Sequence, residues 1–258
     1  MAPISLHTSP REIYNIGDTV KTPANLHEFD SSLTQSIDSY LLEFASSYGY
    51  PVGYVQEQHG SLVQNLFPIK GNETEQISSS SKVQLELHTE TAFHPWKPDV
   101  LILFCLKGDR RAETTLSILS DILPKLSNDT INILKQERFL TSIDASFRNA
   151  KQPNRQIQMS ILSDDCLSMT FDQYLMKGID VESREALEQF RQAVISRMMG
   201  IALTQGDILV IDNHKVIHGR TAFTPRHDGT DRWLKRVMVR RELPPLDQMS
   251  GSVITTIL

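Results

Sequence analysis

Residues 82–90 read KVQLELHTE. Val83, Leu85 and Leu87 fall at every second position, with Gln84, Glu86, His88 and Glu90 between them, which is the period of a strand with one apolar and one polar face. Outward from it, VLILFCL (100–106) is apolar throughout, as a strand buried on both faces would be. GDILVIDN (206–213) predicts a strand entered from Gly206 and left through the turn-forming pair Asp212-Asn213. KVIHG (215–219) predicts a short strand after it, and WLKRVMVR (233–240) another. Three regions carry helical spacing instead. Residues 30–48 open on Asp30 as a candidate cap, place Leu33, Ile37, Leu41 and Phe44 on one stripe and stop at Gly49. SDILPKL and NDTINILKQERF, within 120–139, predict two short helices broken near Pro124 and Ser127. Residues 182–203 space Leu187, Phe190, Val194, Met198 and Ile201 helically up to Gln205-Gly206. The Ser-rich segment 71–82 reads as a mobile loop. The pattern predicts a mainly β, closed or sandwiched antiparallel architecture with decorating helices. We expect a single domain over 1–258, with residues 1–50 a helical N-terminal decoration and 120–205 a helical insertion between core strands.

The chain has 258 residues, 40% of them hydrophobic and 22% charged, enough to bury a core and too apolar for a disordered chain. No apolar run approaches the ~20 residues that span a bilayer, and the first residues, MAPISLHTSP, lack the charged and apolar regions of a secretory leader. Cys105 and Cys166 form neither a disulfide framework nor a metal-binding spacing, so the expected setting is reducing and cytoplasmic. The formal net charge is −5, yet residues 214–241 alone hold eight Lys/Arg against two acids, and three of the eight histidines. A polyanion-binding tail is one reading of that stretch. It requires arginines on an exposed face, aromatic interleaving and an overall basic domain; the net negative charge and the alternation of WLKRVMVR oppose it.

His88 and Glu90 share a strand face about 6.5 Å apart, close enough to converge on one ion. Imidazole nitrogen plus carboxylate oxygen suits a first-row divalent metal, and three facial ligands leave positions open for chemistry. The third ligand must come from elsewhere; His218 is the best placed, with His214 and His94 as competitors. H-x-E alone recurs by chance on solvated strand faces. The residues after His218 sharpen it: Arg232 and Arg236 fall on one face of the 233–240 strand with Leu234 and Met238, opposite Trp233, Lys235 and Val237. Inward-facing arginines require an anionic partner, either a structural carboxylate or a bound anion.

HTETAFHPWKPDVLILFCLK (88–107) and VIDNHKVIHGRTAFTPRHDGTDRWLKRVMVRR (210–241) resemble the two signature blocks of the Fe(II)/2-oxoglutarate dioxygenases, nearest the branch of clavaminate synthase and the arginine and asparagine β-hydroxylases, with taurine dioxygenase more distant. SLVQNLFP (61–68), AETTLSILSDILPKL (112–126) and FDQYLMKG (171–178) extend the resemblance over most of the chain beyond residue 50. It implies a double-stranded β-helix (jelly roll, cupin-like), with Fe(II), 2-oxoglutarate and O2 as cofactors and ascorbate as a stimulant. His88, Glu90 and His218 match the iron ligands and Arg232 the arginine on the far carboxylate of 2-oxoglutarate. Thr115, with Thr114 as the alternative, matches a hydroxyl on the same carboxylate. Arg236, Asp172 and Gln64 match substrate-contacting positions. Related halogenases lack the carboxylate ligand, so Glu90 argues against halogenation. In the arginine-hydroxylating branch a second acid follows the residue matching Asp172; here Tyr174 takes its place. That removes a charge, argues against arginine, and leaves open a smaller or neutral amino acid or an amino-acid-derived intermediate. The implied reaction is hydroxylation of a small molecule, with desaturation, epoxidation or cyclisation by the same machinery as the alternative. A non-catalytic metal-binding jelly roll is the reading from another class; no nucleic-acid or membrane partner is expected.

Overall fold

The computed structural model describes residues 1–144, 147 and 155–256; parts of the 120–205 segment therefore lie outside the described residues. In chain order the strands are β1 (Ile4–Thr8), β2 (Tyr50–Tyr54), β3 (Val63–Leu66), β4 (Leu85–His88), β5 (Val100–Lys107), β6 (Thr114–Ile118), β7 (Phe139–Ser142), β8 (Gln156–Met159), β9 (Lys177–Gly178), β10 (Met199–Ile201), β11 (Asp207–Asp212), β12 (Val216–Arg220), β13 (Trp233–Arg240), β14 (Met249–Ser250) and β15 (Val253–Ile254). The larger sheet runs β1-β11-β5-β13-β2-β15-β14, and a smaller one runs β10-β6-β12-β4. Along its far edge β13 is shared, Leu234–Val237 pairing with β3 and Met238–Arg240 with β2. The two sheets face each other as a jelly roll.

β5 is apolar throughout because both its faces are covered. Leu101, Leu103 and Cys105 point between the sheets, where they pack with Leu116, Leu209 and Leu234. Val100, Ile102, Phe104 and Leu106 point outward against Ile37, Leu41 and Ala45 of the helix Gln35–Ser46. The smaller sheet is covered in the same way: Leu87 and Ile217 pack with Leu187, Phe190 and Val194 of the helix Val181–Ser196. β13 alternates as its sequence predicts, with Leu234 and Met238 in the inner cluster and Trp233, Val237 and Val239 in the outer one. Lys235 follows the outer phase and is fully buried; its ammonium lies 2.5 Å from Asp38, donates to Asn65 and sits over the rings of Phe29 and Trp233. The buried cation thereby ties the N-terminal helix to the sheet.

Five expectations change. Residues 1–50 are more than helical decoration, since β1 completes one edge of the larger sheet against β11. Their helix is α only from Gln35; the turn Ser31–Thr34, capped by Asp30 accepting from the Ser32 N–H, is 3-10. With three residues per turn its stripe rotates, which leaves Leu33 outside while Ile37, Leu41 and Ala45 are buried. The 182–203 helix ends at Ser196, and Met199–Ile201 becomes β10, paired with β6. Its start is as marked as its end, through a capping box between Asp180 and Ser183. The segment 120–205 is therefore mixed, holding helices with Pro124 in a 3-10 turn and Ser127 as a cap, and also β7, β8 and β9 as a separate small sheet. Finally, the 71–82 loop is fastened at its C-terminal end: Ser80 and Ser81 are buried, and Arg220 donates to the Ser80 carbonyl and hydroxyl. Among the described residues no helix is long and apolar enough to cross a membrane.

Gly219 lies where β12 presses closest on β4. A Cβ there would stand 2.5 Å from the Leu85 carbonyl oxygen, a backbone atom that cannot swing away. Gly219→Ala should therefore force the two strands apart, costing about 1–3 kcal/mol as overpacking does, read as a lowered midpoint in thermal or urea unfolding.

Candidate metal centre and active site

β4 and β12 are antiparallel, and His218 stands directly opposite His88 in the register. Their rings consequently face each other with centroids 4.5 Å apart. Glu90 lies beyond the end of β4, where Thr89 is held by backbone and hydroxyl contacts to Phe171 and Thr91 turns the chain with a φ of 46°. One potential ligand atom from each of His88, Glu90 and His218 lies within 4.8 Å of the others. The tautomers suit metal binding. His88 donates from Nδ1 to the Glu86 carbonyl at 2.8 Å, which leaves Nε2 free to coordinate, and His218 turns Nε2 toward Glu90 Oε2 at 3.4 Å. The protonation states suit it too. Burial, then the neighbouring His88, holds the His218 imidazole below its ordinary pKa. For Glu90, burial acts against ionisation, but the Arg236 charge and then His218 outweigh it and hold the carboxyl far below the usual range. Neutral imidazole and ionised carboxylate are the forms a divalent metal requires. The donor set thus fits Fe(II).

The arginines just before and within β13, Arg232 and Arg236, differ. Arg232 is buried, and among the described residues its only hydrogen bond runs from Nη2 to Thr114 Oγ1 at 3.3 Å. Burial, relieved only in part by Cys105 and Asp109, pulls its pKa down to about 10. A buried guanidinium so thinly partnered is suited to an anion from outside the chain. Arg236 is bound within the protein instead: it donates to Glu90 Oε1 at 3.0 Å, to Gln64 Oε1 and to Glu57 Oε1. Burial raises the Glu57 pKa, with the Arg236 charge opposing it. Arg236 is thus the brace of the Glu90 carboxylate.

Besides Arg236, expected at the substrate and found on Glu90, Gln64 and Glu57, two expected positions differ. Thr114, not Thr115, meets Arg232; on β6, Thr114 and Leu116 face inward, whereas Thr115 packs beneath Gly219 and Ser117 bonds the Val194 carbonyl of the covering helix. Gln64 is fully buried and spent on Arg236 and Glu57, which leaves Glu57 to line the cavity. Asp172 does line it, its Oδ1 accepting the Tyr174 and Leu175 N–H groups, and so do Tyr174 and Asp144. Burial raises the Asp172 pKa; His88 opposes this and Asp144 adds to it. Sequence pattern did not single out Glu57 or Asp144. For Glu57, the excess of inward arginines over inward acids was the available signal. The competing histidines are structural: His214 pairs with Asp99 at 2.7 Å, and His94 accepts the Trp96 N–H while packing on Tyr54 and Phe147.

Residues 138–238 match the family model described as "Taurine catabolism dioxygenase TauD, TfdA family". An enduracididine beta-hydroxylase of Streptomyces hygroscopicus is 34% identical over 239 residues, covering 83% of this chain and 69% of that protein. An L-lysine 3-hydroxylase of Catenulispora acidiphila is 34% identical over 222 residues, 84% of this chain and 62% of that one. The chain therefore spans roughly two thirds of the length of these relatives. Among solved structures, the non-heme iron oxygenase OrfP in complex with Fe and alpha-ketoglutaric acid superposes with a TM-score of 0.85 at 30% identity, over 98% of this chain and 80% of that one.

Burial pushes the His94 pKa down to about 4 from 6.5. The folded chain thus keeps this ring neutral where the unfolded chain protonates it. The stability involved is present above pH 6.5 and is lost as pH falls toward 4, amounting to about 2 kcal/mol by pH 5. Urea unfolding of a His94→Gln variant at pH 7 and pH 5 should show a difference smaller than the parent's by that amount.

Proposed function

The chain belongs to the TauD/TfdA dioxygenase family, and we propose that it is an Fe(II)/2-oxoglutarate-dependent oxygenase that hydroxylates an unactivated C–H bond of a free amino acid. The observation that carries this reading is the opening of His88, Glu90, His218 and the thinly partnered Arg232 onto one cavity. In it, iron would be held by His88, Glu90 and His218, and it would couple O2 to decarboxylation of 2-oxoglutarate, giving succinate and CO2. Arg232 with Thr114 would clasp the distal carboxylate of 2-oxoglutarate, a charge-assisted contact from a buried guanidinium. Arg236 keeps Glu90 ionised and turned toward the histidines. Partners other than small molecules form no part of this reading, and both cysteines are free thiols, in keeping with a cytoplasmic location.

The substrate side of the cavity favours a cationic amino acid. Tyr174 occupies the position where the sequence pattern lacked an acid, but Asp144 lines the same cavity and its charge is felt at Asp172. Two carboxylates on one wall suit an amine or guanidinium, and relatives of this chain are named as hydroxylases of lysine and of enduracididine. The neutral amino acid expected from Tyr174 alone is the second reading.

Anaerobic addition of Fe(II) and 2-oxoglutarate should produce a weak visible metal-to-ligand charge-transfer band, absent from His88→Ala. No band, together with no succinate under O2 with any amino acid, would overturn the oxygenase reading. In a panel of amino acids, lysine, ornithine and arginine should stimulate succinate release above asparagine or glutamine. Asp144→Asn should raise KM for the best cationic substrate about tenfold or more, the loss of one charged hydrogen bond; an unchanged KM would favour the neutral reading.

A further inference from the structure

Glu90 is the one member of the triad that no strand holds. β4 ends at His88, and three residues later the chain is already turning at Thr91, a non-glycine residue in the left-handed region. A carboxylate on such a segment needs its peptide fixed by something other than a sheet partner. The structure supplies it from Asn213, a fully buried side chain in the turn between β11 and β12. Asn213 Oδ1 accepts the Glu90 N–H at 2.7 Å, while Nδ2 donates to the Glu90 carbonyl at 3.1 Å and to the Pro98 carbonyl at 2.8 Å. The amide therefore grips Glu90 on both sides of its Cα, as a neighbouring strand would, and its own N–H is anchored on the Asp99 carbonyl at 3.0 Å. Among the twenty side chains, a short primary amide alone offers an acceptor and two donors at this reach; aspartate keeps the acceptor and loses both donors.

Resting on the iron reading above, we propose that Asn213 is a positioning residue for the metal centre: it fixes the backbone of Glu90 and so aims the carboxylate at the point where His88 and His218 converge. The same turn leads within five residues to His218, so one side chain spans the two segments that bring the ligands together. This role is separate from that of Arg236, which holds the carboxylate at its oxygen; Asn213 holds it at its root.

The test is the affinity of the metal-free full chain for Fe(II) alone, titrated anaerobically, followed by the charge-transfer band once 2-oxoglutarate is added. Asn213→Ser and Asn213→Ala should weaken Fe(II) binding by about ten- to a hundredfold, as loss of a group that orients a metal ligand does, with the band weakened or displaced. Asn213→Asp should move in the same direction, and it carries the test if the smaller side chains do not fold. Ile37→Ala falls on the buried face of the helix Gln35–Ser46, on the far side of the larger sheet, and lowers stability without touching the site. Retention of the parent's affinity by this variant supports the proposal. It is overturned if a folded Asn213 variant binds Fe(II) within threefold of the parent, or if Ile37→Ala loses as much affinity as the Asn213 variants. A parent chain that itself binds no Fe(II) overturns the iron reading and this proposal together, a result recognisable because it appears before any substitution is made.

Discussion

The antiparallel pairing of β4 with β12 sets His88 opposite His218, and the spacing of the two imidazoles then comes from the backbone ladder. Such a pair can be held by sheet hydrogen bonds that serve the fold and the site at once. The inner faces of the two sheets close a cavity over it, and both outer faces are sealed by helices, Gln35–Ser46 on the larger sheet and Val181–Ser196 on the smaller. The helices thus hold rigid the walls that position two of the three candidate ligands.

Charge organises the rest. The cavity is lined by Glu57, Glu86, Glu90, Asp144 and Asp172 against Arg220, Arg232 and Arg236, and each cation is engaged differently. Arg236 is saturated by Glu57, Glu90 and Gln64. Arg220 is spent on the carbonyls of Ser80 and Val83 and the Ser80 hydroxyl, and it fastens the loop at the cavity rim. Among the described residues, Arg232 alone faces the cavity with a single hydroxyl for company. That inequality separates a brace, a fastener and a receptor among three residues of one type around one cavity.

Much of this was legible in the sequence where a residue's phase was unambiguous. Strong alternation in WLKRVMVR assigned Arg236 and Lys235 to opposite faces, and β5 was legible as doubly covered. β6 was not: TTLSI carries polar residues on both faces, so alternation alone could not choose between Thr114 and Thr115. β10 was missed because Met198 and Ile201 also fit a helical period, while the pairing that makes Met199–Ile201 extended comes from β6, over eighty residues earlier. Glu57 lies in a turn with no periodicity and finds Arg236 only through the fold. Long-range partners of this kind leave no trace in local pattern.

β13 carries cations to both of its faces, Arg236 inward and Lys235 outward, each with acids waiting on its own side. A slip of one residue against β5 would bury two arginines beneath the N-terminal helix and present Trp233 to the cavity. Such a misaligned sheet would strand at least three charges without partners, so the correct alignment is separated from its nearest competitor by far more than apolar packing alone could supply. The strand is proofread by its own electrostatics, and single-residue insertions or deletions within 233–240 should be among the least tolerated changes in the chain.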